Sequence, residues 1–190
     1  MPLFYPYESS VTEQSDEWFG NLNLEVKLMV KWFKLFGNQY FGFWFLGLVL
    51  FALQEVPYMI MPLFQLDSNP IMTMQESSAV LNICEKISGS LCIVFMTFII
   101  QKNMDFFSVE TKLSKAGFVG AIIVLILNYI GWLLYFNNYQ SIMIIMFFLV
   151  ILPPLYYILI GLWRQNWILC ITGIVFEIVH FIHVLNNLRM

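Results

Sequence analysis

Apolar residues fill this chain in long blocks separated by short polar stretches. Five blocks, near residues 39–62, 76–101, 116–138, 141–163 and 167–188, reach the length of about 20 residues that a helix needs to cross a hydrocarbon core. The pattern predicts an all-α polytopic membrane protein, with a five-transmembrane-helix bundle over residues 38–190. Residues 1–37 precede it. The first 20 of these are polar and acidic (Glu8, Glu13, Asp16, Glu17) and read as a loose tail or a cap on the bundle. In the next stretch, "NLNLEVKLMVKWFKLF", Lys27, Lys31 and Lys34 recur at i, i+4 and i+7, beside Leu24, Leu28, Trp32 and Leu35. That spacing predicts a short N-terminal amphipathic helix lying at the interface, with its lysines on anionic headgroups.

Within the blocks the polar residues are sorted by face. On a helix, which turns about 100° per residue, Asn166, Cys170, Gly173, Glu177, His180, His183 and Asn187 share one side of the last block. Ile168, Ile171, Val175, Val179 and Ile182 take the other. In the second block Ser78, Asn82, Glu85, Gly89 and Cys92 align, with Lys86 at the edge of the stripe. In the third, Asn128 shares a face with Gly117, Ala121, Gly131 and Tyr135, small enough for a neighbouring backbone to approach closely. The first block adds Glu55, with Tyr58 on the same side. Pro57, Pro62 and the pair Pro153-Pro154 each remove a helical donor. The fourth span should therefore bend and release carbonyls near Leu149 and Val150, which survive at membrane depth only where protein or cavity water meets them.

Composition sharpens the class. Apolar residues make up 60% of the chain and charged residues 11%, a balance that needs a lipid bilayer rather than water around it. A net charge of −3 without any Lys/Arg-rich run argues against a nucleic-acid partner. Cys84, Cys92 and Cys170 fall inside apolar blocks and read as packing residues, not a disulfide framework. The start, "MPLFYPYESS", lacks the basic and apolar regions of a cleavable signal peptide. Lys27, Lys31, Lys34, Lys102, Lys112, Lys115 and Arg164 all fall on one side of the predicted topology. The loops after spans 1 and 3 carry no Lys or Arg, and only Arg189 dissents. The positive-inside rule then places the N-terminus in the cytoplasm and the C-terminus outside.

The candidate chemistry lies at membrane depth. At the helical rise, Glu55 comes about 24 Å above the inner edge and Glu85 about 13 Å below the outer edge, while Glu177, His180 and His183 step from about 15 to 24 Å above the inner edge. Ionisable groups at such depth mark functional sites. If ionised, Glu55, Glu85 and Glu177 carry three negative charges against one positive charge on Lys86. Protons, protonated His180 or His183, or a bound cation must make up the difference. Glu177, His180 and His183 could ligate a divalent ion such as zinc, iron or manganese. Equally, the imidazoles could relay protons or contact an organic ligand. Asn128 reads first as an interhelical clamp.

The spacing His183-x-x-x-Asn187 resembles one motif of the intramembrane prenyl-protease-like family. That family's paired glutamates with a following arginine are missing, since Gln54-Glu55 is not two carboxylates. The five-span, aromatic-rich layout is similar to the translocator-protein family in architecture alone, so no residue role is carried over. The leading expectation is a protein that binds or moves a small ligand, proton or cation, with Glu55, Glu85 and Glu177 meeting the guest, Lys86 setting the local potential and the histidines titrating or ligating. The alternatives are an intramembrane metal-dependent enzyme acting on a lipid or other apolar substrate, and an accessory subunit whose polar stripes pair with a second copy or a partner chain.

Overall fold

The computed structural model describes residues 28–64 and 66–188. The acidic tail, Lys27, the first half of the expected interfacial helix and Arg189 lie outside the described residues. Five helices are long and apolar enough to cross a membrane: α1 (Phe45–Leu63), α2 (Ala79–Phe98), α3 (Lys112–Phe136), α4 (Ile142–Trp163) and α5 (Trp167–Leu188).

The all-α expectation needs one correction. A three-stranded antiparallel sheet stands at one end of the bundle, formed by β1 (Met29–Phe36), β2 (Gln39–Trp44) and β3 (Ile99–Gln101). Residues 29–36, expected as the second half of the interfacial helix, are a strand. The chain reverses at Gly37-Asn38, with Gly37 at a φ of 50°, a backbone region that glycine enters without the Cβ penalty. Span 1 accordingly starts at Phe45 rather than 39, and span 2 ends at Phe98. β2 runs directly into α1 and β3 continues α2, so the sheet ties these two helices together.

Polar side chains knit this end, called basic here for its lysines and Arg164. Lys31 Nζ donates to the carbonyls of Lys102 (2.7 Å) and Met104 (3.1 Å). Arg164 is buried, with its guanidinium 4.4 Å above the Trp44 ring and its Nη1 donating to the Asp105 carbonyl at 3.0 Å. Burial lowers its pKa to about 10, partly countered by the Asp105 carboxylate, and it stays charged at neutral pH. Asn166 caps α5 by accepting from Leu169 N, and donates to the Phe95 and Ile99 carbonyls where α2 ends. Trp44, Tyr156, Tyr157, Ile160, Trp163 and Leu169 form the core toward this end. A second cluster, around Met61, Trp132, Tyr135, Ile145, Leu149 and Val184, closes the distal half.

The regular winding of α4 is interrupted by a change of helical register. Residues Ile145–Ile151 wind in the wide π form, and α winding resumes at Leu152, just before Pro153-Pro154. Phe148 would offer its carbonyl to Pro153 in the wide register, but proline has no N–H. Asn128 of α3 supplies the donor instead, with Nδ2 at 2.9 Å from that oxygen.

Candidate functional site

A cavity of about 420 Å³ lies among all five helices, within the usual range for small-molecule sites. Its walls include Glu55 from α1, Glu85 from α2, Trp132 from α3, Leu149 and Val150 from α4, and His180 and His183 from α5. Counted along each helix, Glu55, Glu85 and His180 lie about 9–12 Å from the ends distal to the sheet, and His183 about 8 Å.

Local packing explains why these groups meet. A Cβ on Gly89 would sit 3.3 Å from the Phe176 ring, so the absent side chain gives that ring its place and brings α2 close to α5. One turn further toward the distal end, Glu85 faces His180. The Nδ1–H of His180 donates to Glu85 Oε1 at 2.7 Å, and His183 Nδ1 lies 3.5 Å from Glu85 Oε2. A carboxylate can only accept, so the short contact places the His180 proton on Nδ1. No other acidic and basic side chains approach within 4 Å of each other among the described residues. Asn187, one turn beyond His183, accepts from Ser77 N at 2.9 Å and fastens α5 to the start of α2. The His183-x-x-x-Asn187 spacing is thus the stripe by which α5 seats on α2.

Of the seven residues singled out in the sequence, Glu55, Glu85, His180 and His183 share the cavity. The other three do not line it. Glu177 sits one turn deeper, half-buried, with Oε2 buried and without a hydrogen-bond partner. Lys86 is exposed on the outer side of α2 and forms no ion pair among the described residues, so it faces away from the cavity whose potential it was expected to set. Asn128 is the interhelical clamp on Phe148. Among the described residues no three His, Cys, Asp or Glu side chains are arranged to hold a metal ion. Glu85 takes the position beside the histidines that the sequence reading gave to Glu177, because a three-residue step turns Glu177 and His180 about 60° apart around α5.

Sequence reasoning passed over Gln54, which is buried with its Oε1 unpaired on the cavity wall. Its signal was available, since a buried amide beside Glu55 is as costly in oil as any other polar group. Tyr58 was legible on the face of Glu55, whereas the rest of the aromatic wall, Phe51, Trp132, Tyr157 and Phe176, had no such signal, because aromatic residues are common throughout the spans. Compared with protein-family models, with curated proteins and with solved structures, the chain matches none.

Proposed function

We propose that this is an integral membrane protein that binds a small, positively charged guest in the cavity between its helices, from the outer side of the bilayer. One observation carries the reading: Glu55 and Glu85 share the cavity with two imidazoles, and among the described residues no lysine or arginine lines it. Carboxylates in a low-dielectric chamber demand positive charge. Protonated imidazoles can supply it in the empty state and a guest cation in the filled one. The rings of Tyr58, Trp132, Tyr157 and Phe176 add faces that attract organic cations. The outer-side assignment rests on the basic end lying in the cytoplasm.

Benzylamine, benzyl alcohol and benzoate differ in charge at nearly constant shape, and calorimetric titration of the purified full chain in detergent tests the reading. Benzylamine should bind at least about tenfold more tightly than benzoate, a difference of about 1.4 kcal/mol. Equal or tighter binding of benzoate refutes a cation site.

A further inference from the structure

The double proline of α4 leaves a main-chain acceptor beside the cavity without a helical donor. A helical carbonyl finds its donor four residues on in α winding and five on in π winding. For Leu149 those positions are Pro153 and Pro154, neither of which has an N–H. For Val150 the α position is again Pro154, but the π position is Leu155, which keeps its N–H. Asn128 relieves only Phe148, and among the described residues no side chain donates to Leu149 or Val150. Leu149 and Val150 both line the cavity. On another wall, the buried Gln54 Oε1 is also without a partner. Unpaired acceptors at membrane depth are expensive, and a fold keeps them where something else completes them.

We infer that the Leu149 carbonyl and Gln54 Oε1 receive N–H groups of the guest, so that the ligand class is a primary ammonium rather than a quaternary one. This rests on the cation-binding reading and narrows it. Glu55 and Glu85 supply the charge complement, which any cation satisfies. The orphaned acceptors supply directional demand, which only a cation with several N–H groups satisfies.

The test is a methylation series on the wild-type chain at pH 7: benzylamine, N-methylbenzylamine, N,N-dimethylbenzylamine and benzyltrimethylammonium. All are cations, and each methyl group removes one donor while adding apolar surface. Affinity should fall along the series by at least about tenfold overall, against the hydrophobic trend. A quaternary ion that binds within about threefold of benzylamine overturns the N–H inference and leaves the cation site standing. Failure of every cation, or preference for benzoate, overturns the cation site and this inference with it. Replacing both prolines (Pro153→Ala with Pro154→Ala) returns helical donors to α4 and should flatten the series. A double variant that binds with the full wild-type slope overturns the assignment to the Leu149 carbonyl. Should the double variant not fold, the wild-type series still decides whether N–H donors matter.

Discussion

Glu85 and Lys86 are neighbours in sequence and stand about 100° apart around α2, enough to send one toward the cavity and the other toward lipid. In the bilayer the Lys86 stem can lie along the helix while its ammonium reaches the headgroups. Their substitutions should therefore part company. Glu85→Gln removes a cavity charge, and should lower benzylamine affinity about tenfold or more, whereas Lys86→Met should leave it within about twofold, both by calorimetry. Asn128 carries a different kind of load. Asn128→Ala leaves the Phe148 carbonyl without a donor and should cost about 0.5–2 kcal/mol in an unfolding titration in detergent, the spread that interhelical bonds in membranes span. In a Pro153→Ala background, where the helix offers its own N–H, the same change should cost measurably less. Equal costs in the two backgrounds contradict the clamp. Asn128 was legible as a clamp because a buried amide on a small-residue face must bond across it. The partner of His180 was not legible, since the sequence could not say which of three glutamates the fold would bring to it.

Among the elements, the hairpin was hidden by its own irregularity. Its ladder shifts register between Lys31 and Phe33 and again between Lys34 and Phe36, so β1 does not alternate cleanly and its lysines imitate a helical period. The competing signal was Gly37-Asn38 between two aromatic-rich runs, a common hairpin turn. The close pairing of α3 and α4, by contrast, follows from composition. A Cβ on Gly117 would come within 2.5 Å of Trp163 N and 2.7 Å of the Leu159 carbonyl oxygen, whereas one on Gly120 meets only the end of the flexible Leu159 side chain at 3.0 Å. Backbone cannot yield as a leucine methyl can. Gly117→Val should destabilise the bundle by about 1–3 kcal/mol or more, and Gly120→Ala by well under that, measured by the same unfolding titration. Comparable losses at both sites contradict this packing.

In the molecule as a whole the basic end and the cavity lie apart, with the Trp44, Trp163 and Arg164 cluster at the one and the carboxylate–imidazole layer near the other. If the basic end is cytoplasmic, the loop around Ser68 is outside and the loop around Asn103 inside. Both residues are exposed. In a background without Cys84, Cys92 and Cys170, an impermeant maleimide should label Ser68→Cys on intact cells and Asn103→Cys only after permeabilisation. The reverse pattern inverts the orientation and puts the cavity toward the cytoplasm.

Hydrophobic length alone was enough to find five helices long and apolar enough to cross a membrane, and the same logic of desolvation marked Glu55, Glu85, His180 and His183 as residues that could not stand alone in oil. The double proline announced an interruption in the winding of α4 as well, because a missing N–H is a covalent fact that no packing can undo. Partnership was another matter. Glu85 beside both histidines, Glu177 left a turn below, Lys86 turned outward and the strands grown from the ends of α1 and α2 depend on how the helices rotate and approach one another. That rotation is a collective result of contacts such as Phe176 against Gly89, between residues 87 positions apart in the chain. Periodicity reports which face of a helix is polar; only assembled packing specifies which neighbour that face will meet.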